Sequence, residues 1–500
     1  MSETPHYVAN VYPTGHTVGD AEKGQNSRLI TPYPAYNAAY VHNVPMAEVP
    51  PRRRSFRRRV FTRTLHCVVL LAVLSFVFPN VLRGIMHVSH AMQRRIFGYD
   101  YAEDALFDPL EGVNDCVRIA EWDILNGGHQ HFPHHDLDSL LGAAQIALPD
   151  HHHESFTHAA RTSLELPLSS DLLYVLSRGV LSHGVIQIND HGDSDSDVAV
   201  VGVTFLYNSP SVLDVAKVCA LGHGEGKHGV GIFTPMHWSH PKHEHRTRFV
   251  VDVTLPSSSS SSPLVIKRFE TDMPIFTHYI HDLENTVDFH SLKLRTSNGP
   301  IVARSVFAQE GSIQTSNGPI VGNFSSSDSL VLRTSNGVIH ANVTLSSGDS
   351  HQETRLDLKT SNSPITSNIT LVSTTEDGTG GAFKVNTKTS NGPLVIGYPS
   401  APINSHLDFE ARSSNSPVRA TLHETYEGDF FLRSSAWFPT SVEHDDSVED
   451  PAGKDRKRQV DIHKVSRGVI EGSVKWVPSE EKQAGTVRIS TSNSPVQLTL

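Results

Sequence analysis

Five hundred residues with 53 Asp/Glu against 42 Lys/Arg carry a formal net charge of −11, and only 19% of the chain is charged. That balance excludes a general nucleic-acid binder, a coiled coil and a highly charged disordered chain. With 38% apolar residues and 3 cysteines, the chain is neither a polytopic membrane protein nor a disulfide-stapled scaffold nor a cysteine-based zinc ribbon.

Residues 1–64 hold nine Lys/Arg and four Asp/Glu, net +5, which leaves −16 for the remainder. Their first fifty residues are rich in Pro, Tyr, Asn and Ala and lack apolar periodicity, so 1–64 reads as a disordered cytosolic tail. It ends in an Arg cluster: Arg52, Arg53, Arg54, Arg57, Arg58, Arg59 and Arg63. Leu65–Leu82 comes next, with fourteen apolar residues of eighteen and no Asp, Glu, Lys or Arg. As a helix this segment is about 27 Å long, enough to span a thin bilayer. A buried core helix would not explain seven cations abutting one end. A cleaved signal peptide would need a sixty-residue basic region, and no small-x-small cleavage site comes after it. The positive-inside rule therefore predicts a single-pass signal anchor, with the N-terminus cytosolic and the C-terminus extracellular or lumenal.

Residues 83–114 read as a stalk. Residues 115–290 are β-rich, with runs such as Gly184-Val185-Ile186-Gln187-Ile188 and Phe249-Val250-Val251-Asp252-Val253. They form either a separate β-domain or a cap on the C-terminal region, 291–500. Cys116 and Cys219 are the two cysteines beyond the membrane segment and are a candidate disulfide in an oxidising compartment. Two histidine groups stand here, His129, His131, His134, His135, His151, His152 and His153, then His223, His228, His237, His240, His243 and His245. Their spacing matches no ligand pattern, so loop composition is the default and neither metal nor cofactor is predicted. Asp193-Ser194-Asp195-Ser196-Asp197 has the Asp-x-Asp look of metal-dependent glycosyltransferases, but such enzymes need alternating strands and helices and the sequence offers few amphipathic helices, so a solvated acidic loop is the better reading.

From residue 291 to 500 a motif recurs. It begins as Thr296-Ser297-Asn298-Gly299-Pro300-Ile301, and its asparagines are Asn298, Asn317, Asn336, Asn362, Asn391, Asn415 and Asn493, spaced 19, 19, 26, 29, 24 and 78 apart. Two worn copies are expected in the long gap, near Ser434-Ser435-Ala436 and Ser466-Arg467-Gly468. Period-two alternation precedes the motif, as in Leu330 and Leu332 or Leu356 and Leu358, and a β-prone run succeeds it. Each unit is thus strand, corner, strand. Asn-Gly suggests a hairpin, but proline stands where a hairpin needs a donating N–H. A corner in a coiling chain has no such need, and Asn and Gly there suit a left-handed backbone. Stacked corners would align their asparagines into amide ladders. The expected fold is all-β, a β-solenoid of stacked 19–29-residue repeats, with an antiparallel β-sandwich as runner-up.

Three N-glycosylation sequons begin at Asn323, Asn342 and Asn368, each six residues after its motif asparagine, which predicts one shared glycosylated face. Arg295, Arg333, Lys359, Lys388 and Arg412 each lie three before the motif asparagine and predict a basic row. That row reads either as a stripe for an anionic polymer or as a solvated edge paired with acids. No nucleophile elbow, His-Glu-x-x-His or phosphate loop is present.

The repeats resemble the "putative adhesin" repeat family of bacterial surface proteins, and the chain is also similar to uncharacterised fungal single-pass membrane proteins with Tyr/Pro-rich cytosolic tails. The resemblance covers roughly 285–500. It implies a β-solenoid ectodomain and adhesion, and it transfers no catalytic residue. The expected function is a non-catalytic, membrane-anchored binding or structural glycoprotein of the cell surface, its partner a wall or surface polysaccharide and its site the plasma membrane. The alternative is a lumenal type II enzyme of the Golgi or endoplasmic reticulum acting on glycans.

Overall fold

The computed structural model describes residues 116–125, 130–131 and 155–500, apart from 223, 225, 238–245, 259–260, 349–351, 436, 446 and 479–484. The expected tail (1–64), membrane segment (65–82) and stalk (83–114) lie outside the described residues. Among the described residues no helix is long and apolar enough to cross a membrane.

The described chain is all-β, and helix is confined to the turn Pro210–Leu213. Alternation builds the strands. In Thr354–Lys359, Thr354, Leu356 and Leu358 are buried while Arg355 and Asp357 face water. Buried leucines here cover one face, and the polar residues between them keep the other wet.

Two parallel ladders organise the repeat region. The first joins Leu264–Asp272, Val287–Arg295, the second half of Ile301–Gln314, Ser329–Arg333, Thr354–Lys359, Ala382–Lys388, His406–Arg412, Gly485–Ser490 and Gly428–Arg433. The second joins Phe276–Asp282, the first half of Ile301–Gln314, Ile320–Ser326, Ile339–Ser347, Ile365–Ser373, Leu394–Gly397, Val418–Thr421, Val496–Thr499 and Thr440–Glu443. The strands before and after a motif corner therefore pair with neighbouring units rather than with each other as a hairpin. Parallel partners need a crossover between them, and the rest of each unit supplies it. Inward residues of both ladders, such as Leu356 and Leu358 with Ile339 and Ile365, belong to one core that runs from Ala160 to Leu500.

Both ladders continue across residue 290. Phe269 pairs with Leu292 on one side and Leu173 on the other, and Ile280 pairs with Ala303 and Ile188. Antiparallel strands lie beyond the parallel ones. At one end Val198–Tyr207 pairs with Thr247–Pro256, and His158–Pro167 pairs with Val198–Tyr207. At the other, Val469–Val477 lies on Gly428–Arg433 and Lys457–Ser466 lies on Val469–Val477. Such strands cover edges that would otherwise offer unpaired N–H and C=O groups to another chain.

Stacking order departs from chain order. Gly485–Ser490 inserts between His406–Arg412 and Gly428–Arg433. The 78-residue interval thus holds one further strand–corner–strand unit and a hairpin. Ser434 stands at that unit's corner and donates its Oγ to Ser494 O at 2.7 Å. Ser466-Arg467-Gly468 is not a worn corner: it is the tight turn of the antiparallel hairpin, with Gly468 at φ 74°.

Candidate functional site

The corner asparagines stand in one exposed file. Each Nδ2 donates to the Oδ1 of the rung before it: Asn317 to Asn298 at 2.6 Å, Asn336 to Asn317 at 2.8 Å, Asn362 to Asn336 at 2.6 Å, Asn391 to Asn362 at 2.7 Å, Asn415 to Asn391 at 2.8 Å and Asn493 to Asn415 at 2.8 Å. Asn493 comes directly after Asn415 in the file because the intervening unit stacks beyond it. A net ~1 kcal/mol per hydrogen bond sets the scale for an exposed member. Asn336→Ala, which breaks two ladder bonds, is expected to lower the unfolding free energy by about 1–2 kcal/mol in urea titration while leaving the circular dichroism spectrum unchanged.

The expected left-handed corner is not what forms. None of the motif asparagines or glycines is among the positive-φ residues. At four corners glycine serves a different end, close stacking of backbone on backbone. A Cβ on Gly318 would lie 1.9 Å from Gly299 O, and one on Gly392 would lie 1.9 Å from Ser363 O. Where serine takes this place its hydroxyl bonds to the rung before: Ser363 Oγ to Asn336 O at 2.5 Å, Ser416 Oγ to Asn391 O at 2.5 Å and Ser494 Oγ to Asn415 O at 2.8 Å.

The motif threonine is the corner residue that sequence reasoning passed over. Thr315 is buried, accepts the N–H of Gly318 at 3.2 Å and donates to Gly299 O at 3.1 Å. Thr334 repeats this with Gly337 at 3.0 Å and Gly318 O at 3.1 Å. One hydroxyl thus closes its own corner and ties it to the one before. The signal was present, since Thr or Ser stands two before the asparagine in all seven copies.

The basic residues share a row. Arg333, Lys359, Lys388 and Arg412 occupy successive rungs, and Gln314 separates them from Arg295. The lysine Nζ of Lys359 is held below its ordinary pKa, first by burial and then by repulsion from Arg333 and Lys388, with Asp357 opposing. Acids enter beside the row: Arg412 pairs with Glu410, and Lys384 with Asp408 at 3.3 Å.

The sequon asparagines make a second file on the outward face of the other ladder. Asn323 pairs in register with Asn342, and Asn342 with Asn368; all three are exposed. Asn342 Nδ2 donates to Asn323 Oδ1 at 2.9 Å and Asn368 Nδ2 to Asn342 Oδ1 at 3.3 Å, while Asn323 Nδ2 donates to Arg304 O at 2.6 Å. The next rung carries Gly397, so the file stops there. A depression of about 440 Å³ opens at that point, lined among others by Asn368, Val395, Gly397, Pro399, Arg419 and Gln497.

Cys116 and Cys219 are joined by a disulfide with Cα atoms 5.4 Å apart, tying Cys116–Ile119 to Lys217–Gly222. Asp193–Asp197 is a turn closed by Asp193 Oδ1, which accepts the N–H of Asp195 at 3.2 Å. Among the described residues no group of three His, Cys, Asp or Glu side chains is placed to hold a metal ion. Of the predicted histidine groups, His228 faces Ser170 Oγ at 2.9 Å. His129, His134, His135, His151, His152, His153, His223, His240, His243 and His245 lie outside the described residues.

No family model matches the chain. No curated protein matches it either. Among solved structures it is similar to a "putative cell adhesion protein" from Clostridium sporogenes, with 6% identity over 68% of this chain and 99% of that one at TM-score 0.16. It is similar to a "putative adhesin" from Bacteroides fragilis, with 7% identity over 68% of this chain and 96% of that one at TM-score 0.25. A third, a "putative lipid binding protein" from Parabacteroides distasonis, shares 9% identity over 53% of this chain and 90% of that one at TM-score 0.22. Likeness at such TM-scores carries no argument for function.

Proposed function

We propose that this chain is a single-pass, membrane-anchored surface protein whose ectodomain is a β-solenoid, and that it works without catalysis as a binding or structural element facing wall or surface polysaccharide. The observation that carries the reading is the pair of parallel ladders with its unbroken file of corner asparagines. A stack of this kind is a long, stiff, repetitive surface, suited to contacting a repetitive polymer. Its corner and sequon files are rows of amides, and the outward acids Asp408 and Glu410 beside the basic row are held in ion pairs with Lys384, Arg488 and Arg412. The Arg cluster next to Leu65–Leu82 sets the proposed orientation, and the sequons fall on the side that orientation makes lumenal.

The test is a C-terminal tag read on intact, wall-stripped cells, with a glycosidase mobility shift on the same sample. Surface labelling with a shift is expected. A shift without surface labelling would move the protein to the Golgi or endoplasmic reticulum. A cytosolic, unshifted tag would overturn the topology.

A further inference from the structure

The three sequon acceptors are not equivalent. Each acceptor has another asparagine amide one rung away, at ~4.8 Å, and the three differ in what stands on the other side: Asn323 donates to Arg304 O there. Asn342 is bracketed on both sides, donating to Asn323 and accepting from Asn368. Asn368 has a side-chain neighbour in this file on one side alone. On its other side stands Gly397, whose missing side chain leaves a gap in the row between Asn368 and Thr421.

That gap is the floor of the 440 Å³ depression. Val395, 41% exposed, and Pro399 offer apolar surface for a sugar face. The guanidinium of Arg419 and the hydroxyls of Thr421 and Thr499 offer partners for hydroxyl and acetamido groups, as does the amide oxygen of Gln497, whose Nε2 donates to Glu443 Oε1 at 2.9 Å. Pockets that mix an apolar floor with a few placed polar groups suit small ligands of this kind. A glycosylated asparagine nitrogen keeps one N–H, the hydrogen anti to the amide oxygen, so attachment still leaves Asn368 a donor for the bond to Asn342.

We infer that an N-linked glycan on Asn368 folds back onto the depression beside Gly397, so that its first sugars become part of the protein surface. The occupant is attached to a residue of the pocket wall, and no linker separates the two. The inference rests on the lumenal topology proposed above.

The full chain is produced in a eukaryotic secretory host, and occupancy at each acceptor is read by glycopeptide mass spectrometry. Release by peptide N-glycosidase is then timed on native and on heat-unfolded protein. Release at Asn368 is expected to be at least about tenfold slower from the native protein, equivalent to a seated state favoured by ~1.4 kcal/mol. Arg419→Ala and Gly397→Asn, the second of which fills the gap without creating a sequon, should each restore most of that rate. Neither position belongs to a corner or to the core; a Cβ at 397 would lie 3.0 Å from Asn368 Oδ1, so Arg419→Ala, which leaves the acceptor untouched, is the deciding variant. Glycans on Asn323 or Asn342 with none on Asn368 would overturn this inference and leave the topology standing. Native release at Asn368 that is as fast as from unfolded chain, or slow release that neither variant relieves, would also overturn it. A lack of glycan at all three acceptors would sink the topology as well.

Discussion

Gly322→Ala is expected to abolish stable folding. Gly322 sits inside Ile320–Ser326 with φ 137°, a conformation that alanine rarely adopts. A Cβ there would lie 1.9 Å from Ala303 O and 2.8 Å from its carbonyl carbon. Both obstacles are backbone, so no side chain can swing aside. Ala303 is itself paired in the ladder with Ile280, and Gly322 with Ala341, so relief at one rung displaces its neighbours. Backbone strain and steric overlap add, and their sum belongs with the large mutational effects, more than about 4 kcal/mol. Set against a total stability of about 5–15 kcal/mol, that leaves little folded protein to secrete. Yield after secretion and urea denaturation of whatever is recovered would measure it. Gly348→Ala is the control. Its Cβ would meet only the hydroxyl of Thr374, at 2.9 Å, and a change within about 0.5 kcal/mol is expected. A G322A protein with wild-type stability would mean that the parallel register around Ala303 and Gly322 is wrong.

The sequence carried the repeat but not the reason for each of its letters. Period-two runs such as Leu356 and Leu358 revealed the strands because burial on one face demands alternation. The prolines after the corners argued against hairpins through hydrogen-bond chemistry alone. What stayed hidden depends on distance between units. The close packing of glycine at 299, 318, 337 and 392 is against a carbonyl one rung away, and nothing local to the motif distinguishes that from a left-handed turn. Gly322 sits outside the motif, so its requirement left no periodic trace. The insertion of Gly485–Ser490 between His406–Arg412 and Gly428–Arg433 was likewise illegible. Chain order and stacking order coincide until a unit is bypassed, and composition does not record the bypass. The sequon file was visible from equal offsets, whereas the gap at Gly397 emerged only once the second ladder placed that residue beside Asn368.

Stability should fall as pH drops from about 6.5 to about 4, and buried His278 is one source. Its side chain is fully buried, with Nε2 2.8 Å from Thr271 Oγ1. Burial lowers its pKa to about 4, against a smaller opposing pull from the nearby Phe276 backbone. Above pH 6.5 the imidazole is neutral in both folded and unfolded chains, so it adds no pH dependence there. Between the two values the unfolded chain binds a proton that the folded protein refuses, and the balance shifts toward unfolding. At 1.36 kcal/mol per pKa unit, the full loss is about 3 kcal/mol by pH 4. His423 acts in the same direction: burial and, less strongly, the charge of Arg458 bring it to about 3. Carboxylates in a free chain have pKa values of about 4, at the bottom of this window, so urea midpoints at pH 7.0, 6.0, 5.0 and 4.5 sample the histidines first. His278→Gln keeps a polar group beside Thr271 and removes the titration. The variant is expected to lose some stability at pH 7 but to fall less steeply toward pH 4.5 than the wild type. Parallel slopes for the two proteins would remove His278 as a cause and leave His423 to be tested in the same way.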